Sequence, residues 1–290
     1  MSEVRNAVIM AAGMSHRFVP LAYETPKGLL KVKGQILIER QIEQLKEAGI
    51  HEITVIAGYM KEKFYYLKEK YGIDLVVNRD YFRYNNISSL MCVLDRISNT
   101  YICSSDNYFT ENVFMDNCEQ AYYAANYSKG KTMEWCMVID SGDRIKRVEI
   151  GGCDSWYMQG HAYFTDKFSR RFKEILKREY YFDKIVRNEL WETVYIRYID
   201  ELELFAKKYR EGVIWEFDSL DDLRNFDENY RDHSGSAIMH MIAKQLNCRE
   251  GEITDLVPVE AFGSVKCDFY FIYAGARYKY LYGSGSIERS

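Results

Sequence analysis

No stretch of this sequence approaches the ~18 consecutive apolar residues that a membrane-spanning helix needs. The opening MSEVRN carries an acid and runs into a strand pattern rather than a signal-peptide core, so a cytoplasmic protein without membrane association is the expectation. Cysteine is scarce and unpatterned. The seven residues at 92, 103, 118, 136, 153, 248 and 267 are odd in number and never form CxxC, which points away from a disulfide framework or a zinc site. Basic charge is not in excess either: a net charge of −4 and a pI of about 5.9 argue against nucleic-acid binding by bulk electrostatics. Any anion site must therefore be local. Only three prolines interrupt the chain, and no internal repeat or low-complexity tract is visible.

What is present is enough for a full core, with 290 residues of which 47% are hydrophobic. The pattern alternates strand and helix. Ala7 to Ala11 is a short apolar strand ending at Gly13; residues 36–49 space Ile36, Ile38, Ile42, Leu45 and Ala48 as one helical face closed by Gly49. Strand 53–59, helix 61–72, strand 74–78, a helix within 83–97 and a strand at 100–110 follow. Such alternation implies parallel pairing in an open α/β sheet, with ligands beyond the carboxyl ends of the strands. Further on, 133–140 and 144–152 read as a hairpin about Ser141 to Asp143, 155–165 as another strand, and 166–180 and 190–199 as helices. A last strand at 212–226 turns into a helix capped by Asp218 or Ser219. Near 230 the polar run ENYRDHSGS marks a boundary, so that 1–230 and 231–290 are expected as separate domains.

Chemistry concentrates in AVIMAAGMSHRFVPLAYETPKGLLKVKG, residues 7–34. Taken alone, Ala11-Ala12-Gly13 after a strand is either a tight turn or a phosphate cradle of successive N–H groups. Arg17 and Lys27 add full positive charges to that loop. The combination, with Thr25-Pro26 before Lys27, resembles the signature of nucleotidyltransferases that make activated sugars and alcohols from NTPs. Ser15 stands where that family usually has a second glycine. YNNISSL (84–90), YICSSDNYF (101–109), MEW (133–135), LWE (190–192) and WEFDS (215–219) narrow the resemblance to the bacterial CTP:phosphocholine cytidylyltransferases over roughly residues 5–228.

That resemblance implies an open, mostly parallel Rossmann-like sheet flanked by helices, and a Mg2+-dependent transfer of CMP from CTP to phosphocholine for cell-surface decoration. It makes Arg17 and Lys27 the catalytic cations, and Asp106 and Glu192 the metal ligands. Ala11, Ala12, Gly13, Met14, Asn86 and Ser89 approach the nucleotide, and Trp135, Trp191 and Glu216 form the headgroup box. Two departures stand out: Glu192 replaces the family's usual aspartate, and Ser104 sits where a second aspartate often lies. From the residues alone, Asp106 also suits a turn and Trp135 a core position. The alternatives are transfer to phosphoethanolamine or 2-aminoethylphosphonate, a sugar-phosphate nucleotidylyltransferase, and a non-catalytic nucleotide-binding regulator.

Residues 235–283 resemble the opening of choline kinase and aminoglycoside phosphotransferase domains, without any catalytic loop after it. This small α+β appendage reads as a packing or dimerisation element, with a homodimer as the protein partner to expect. Because it carries none of the expected ligands, its removal is expected to leave transfer measurable.

Overall fold

A computed structural model describes residues 2–259 and 266–290 of the chain. It divides into two compact units, one of residues 1–13 and 38–216, the other of 14–37 and 217–290. This division differs from the expected boundary near 230. The loop that carries Arg17 and Lys27 folds with the C-terminal segment, because its apolar side chains find their partners there.

The first unit is built on a seven-stranded sheet. Its strands are β1 (Asn6–Ala11), β2 (Ile53–Ala57), β3 (Asp74–Val77), β4 (Thr100–Ser104), β6 (Tyr122–Ile139), β7 (Ile145–Phe164) and β8 (Phe205–Lys208), with a short β5 (Asn107–Phe109) outside the sheet. The spatial order is β8-β6-β7-β4-β1-β2-β3. All neighbours are parallel except where β7 runs against β6 and β4, which agrees with the expected mostly parallel α/β sheet. Every residue of β2 is buried, as an apolar run between two covered faces requires. The chain winds outward from β1 to β3 and then returns to place β4 on the other side of β1. This reversal opens a crevice at the carboxyl ends of β1 and β4.

Helix α1 (Leu37–Glu47) buries Leu37, Ile38, Ile42 and Leu45 along one stripe and ends before Gly49, whose φ of +85° suits glycine. Its polar residues do a second job. Gln41 donates to the carbonyls of Ser104 (2.9 Å) and Asn107 (2.8 Å), bracketing Asp106, and the Ser105 N–H donates to Met10 O at 3.0 Å. The turn holding Asp106 is thereby tied to β1.

The region expected as a hairpin plus a separate strand at 155–165 is one long hairpin. Residues 155–164 continue β7, which stays paired with β6 through several register shifts. Bulges let a strand bend and carry on. Helices α2 (Tyr66–Tyr71), α3 (Ile87–Met91), α4 (Asp166–Phe182) and α5 (Trp191–Arg197) complete this unit, α4 being capped by Thr165.

In the second unit, β9 having been Ile214–Glu216 of the first, helix α6 (Leu220–Phe226) starts at a capping box between Ser219 and Asp222. Helix α7 (Ala237–Leu246) is capped by Ser236. Strands β10 (Thr254–Pro258), β11 (Phe269–Tyr273), β12 (Ala276–Leu281) and β13 (Ser286–Arg289) form an antiparallel sheet in that order, burying Phe269, Phe271 and Tyr280. Residues 260–265, on which the glycine-bearing hairpin of the kinase resemblance falls, lie outside the described residues.

Gly58 fixes how closely β2 approaches the loop after β1. A Cβ there would meet Ala12 O and Tyr81 Cβ, both at 2.7 Å, while the next N–H, of Tyr59, donates to Ala12 O at 3.0 Å. Neither backbone nor a ring stem yields easily. Gly58→Ala should lower the stability of the folded protein by about 2 kcal/mol in urea denaturation; an unchanged midpoint would show that the loop can give way.

Candidate active site

Asp106 follows β4 at the crevice, with Gly13 leaving β1 beside it, as the sequence order and sheet register require. Three carboxylates of this unit act on one tyrosine. The buried hydroxyl of Tyr123 on β6 donates to Glu192 Oε1 at 3.2 Å, and its pKa is raised well above the usual value by burial, then by the charges of Glu192, Glu216 and Asp106. The sequence assigned these three acids to two subsites, whereas the fold brings all of them to one tyrosine.

Glu192 keeps some accessible surface, but its carboxyl lies among interior groups, and burial pushes its pKa up to about 7. Its side-chain partners are neutral: Tyr123 and, at 3.3 Å, Asn86 Nδ2. Asn86 also accepts the Trp191 N–H at 2.8 Å through Oδ1, so it caps α5 and orients Glu192. Ser89 is buried and takes a hydrogen bond of 3.1 Å from Asn78. Both side chains expected near a nucleoside thus have hydrogen-bond partners within the protein.

The expectation for Trp191 also needs correction. It is 1% exposed, stacked on Tyr123 at 5.7 Å and met edge-on by Phe164 and Phe172. Its ring belongs to the core and backs Tyr123 instead of facing a ligand. Trp135 lies half-buried on β6, packed against the same core, and does not line the cleft described next.

That cleft, of about 410 Å³, is lined by Tyr127, Tyr157, Gln159, Trp215 and Glu216, with Asn126 on its wall. Asn126 donates to Gln159 and, at 3.0 Å, to Ile214 O, which fixes β9 against the hairpin. β9 pairs with β5 so that Glu216 lies opposite Asn107, the neighbour of Asp106. Three aromatic rings thus share a cleft with Glu216, and the paired Lys129 and Glu211 line it as well. Tyr127 and Tyr157 match no motif in the sequence, whereas Trp215 lies in the WEFDS stretch; the hairpin and β9 bring the three together.

In the second unit, Arg17 and Lys27 meet on one acid. Arg17 Nη1 lies 3.0 Å from Asp218 Oδ2, and Lys27 Nζ 3.5 Å from Asp218 Oδ1. The Lys27 side chain is only 8% exposed, so its ammonium needs such a counter-charge when no ligand is near. Of the two caps the sequence offered, Ser219 does the capping, and Asp218 holds both cations. Ser15 adopts φ +51°, the left-handed conformation that glycine takes easily. The substitution therefore keeps the glycine-like loop shape at some cost. Ala11 and Ala12 are buried at the end of β1, and Gly13 and Met14 begin the loop.

Residues 7–134 match the model of the MobA-like NTP transferase domain. The choline-phosphate cytidylyltransferase of Streptococcus pneumoniae is 33% identical over 222 residues, covering 77% of this chain and 96% of that one. The 2-aminoethylphosphonate cytidylyltransferase of Lancefieldella rimae is 35% identical over 235 residues, 79% of this chain and 94% of the relative. Among solved structures, the CTP:phosphocholine cytidylyltransferase of S. pneumoniae superposes with a TM-score of 0.74 over 77% of this chain and 97% of that chain.

The raised pKa of Glu192 makes a prediction with a definite sign. The folded state holds this proton more tightly than the unfolded chain, whose value is near 4.5, so the contribution is full below that pH and lost as pH rises through about 7. In the absence of divalent metal, Glu192→Gln should match the wild type at pH 5 and exceed it by roughly 1–3 kcal/mol at pH 8 in urea denaturation. A variant less stable at pH 8 would mean that the charged carboxylate is well compensated.

Proposed function

Because this chain belongs to the nucleotidyltransferases that carry a MobA-like NTP transferase domain, we propose that it transfers CMP from CTP to phosphocholine, giving CDP-choline and pyrophosphate. The observation that carries this reading is the cleft that brings Tyr127, Tyr157 and Trp215 together with Glu216. A trimethylammonium donates no N–H bond and is cheap to desolvate, so the faces of Tyr127, Tyr157 and Trp215 suit it, with Glu216 as a diffuse counter-charge. The phosphate end of the same molecule then reaches back toward the carboxylates.

The reaction follows from charge. A phosphate oxygen of phosphocholine, already ionised near neutral pH, attacks the α-phosphorus of CTP in line; the new P–O bond forms as the bond to the β-phosphate oxygen breaks, and pyrophosphate leaves. No protein base is needed. Arg17 and Lys27 would release Asp218 and take the negative charge of the triphosphate, exchanging one anion for another.

Asp106 and Glu192 suit a hard divalent cation: both are oxygen donors near one hydroxyl, and Glu192 has only neutral partners. A bound Mg2+ would neutralise charge on the transferring phosphoryl group. Glu216 then serves the headgroup from the same cluster.

A second reading has an observation of its own. Gln159 and Glu216 could accept hydrogen bonds from a primary ammonium, and the relative from L. rimae is named for 2-aminoethylphosphonate. Four nucleotides tested against phosphocholine, phosphoethanolamine, 2-aminoethylphosphonate and glucose 1-phosphate decide between them, with pyrophosphate release as the readout. CTP with phosphocholine should give the highest kcat/KM, and Trp215→Ala should lower it roughly ten-fold through KM for phosphocholine. A wild type that prefers a primary amine would replace the choline assignment. Asp106→Asn should cost at least about a hundred-fold in kcat with the thermal midpoint retained; turnover near wild type would remove Asp106 from the chemistry.

A further inference from the structure

We propose that the strands at 254–289 are a brace that sets the position of the loop at 14–27, with Tyr23 as the positioning residue. Tyr23 lies between Arg17 and Lys27 in the chain and is 2% exposed. Its hydroxyl donates to the Cys267 carbonyl at 3.0 Å and accepts from the Cys267 N–H at 3.2 Å, with Cys267 Sγ at 3.1 Å. Its ring meets Tyr282 edge-on at 5.4 Å and Phe269 at 6.4 Å.

Two further attachments hold the same loop. Strand β10 lies against the turn His16–Phe18, which carries Arg17. Glu24 Oε1 accepts the first N–H of α7, from Ala237, at 2.9 Å. The loop is thus gripped at residues 16–18 and again at 23 and 24 by residues more than two hundred positions away. A cradle for a polyphosphate gains from being ordered before the ligand arrives, because ordering it on binding would be subtracted from affinity. The C-terminal segment, which carries no expected ligand, supplies that order.

That the loop serves CTP rests on the function proposed above; the brace itself does not. Hydrogen exchange of residues 14–25 in the full chain therefore tests it without substrate. Tyr23→Phe keeps the ring and removes the hydroxyl; Ala237→Pro removes the N–H given to Glu24 at the first helical position, where proline is well tolerated. Both should raise exchange across 14–25 at least five-fold, and Tyr23→Phe should raise KM for CTP about ten-fold with KM for the second substrate unchanged. Cys267→Ala should stay within two-fold of wild type, since the main-chain partners persist. Unaltered protection of 14–25 in folded Tyr23→Phe and Ala237→Pro would overturn the brace, even with a lowered thermal midpoint. Faster exchange with an unchanged KM for CTP would leave the brace standing and remove the loop from nucleotide binding.

Discussion

A carboxyl seated among interior groups, that of Glu192, is the constraint on the first unit. Asp106, Glu192 and Glu216 all act on the buried hydroxyl of Tyr123, and such a cluster is unfavourable without something to hold it. The protein holds it with neutral groups. Gln41 fixes the turn of Asp106, Asn86 caps α5 and orients Glu192, and the ladder between β5 and β9 sets Glu216 opposite Asn107. These devices cost little, since each uses a backbone or amide group that would otherwise be unpaired. They leave the negative charge available to whatever cation or ammonium arrives.

The second unit has the complementary problem. A lysine ammonium as enclosed as that of Lys27 would be costly alone, and Asp218 offsets that cost while also engaging Arg17. Both cations thus share one counter-charge, so neither stands bare in this structure. The same economy explains why Asp218 does not cap α6: Ser219, one residue on, does so with Asp222.

The strand-to-loop stretch 7–34 was legible because its chemistry is local: an apolar strand, small residues and two cations within a few turns of chain. The order of elements from α1 to α6 was legible for a similar reason, since hydrophobic period reports on the face each element buries. The long hairpin was misread because bulged strands interrupt their own alternation, and 155–165 looked like a new start. Trp191 was misread because sequence does not say which neighbours enclose a ring; Tyr123, Phe164 and Phe172 come from other elements.

By itself the sequence determined the α/β class, the glycine-bearing loop with Arg17 and Lys27, and the identity of the acids at 106, 192 and 216. These depend on residue type and short spacing, which a linear chain displays directly. Only the tertiary structure decided which acids share a tyrosine, which aromatic rings line a cleft and which are core, and that the loop at 14–37 folds with residues 217–290. Those are properties of pairing across long separations. Strand register, bulges and burial set them, and none of these is carried by any one stretch of the chain.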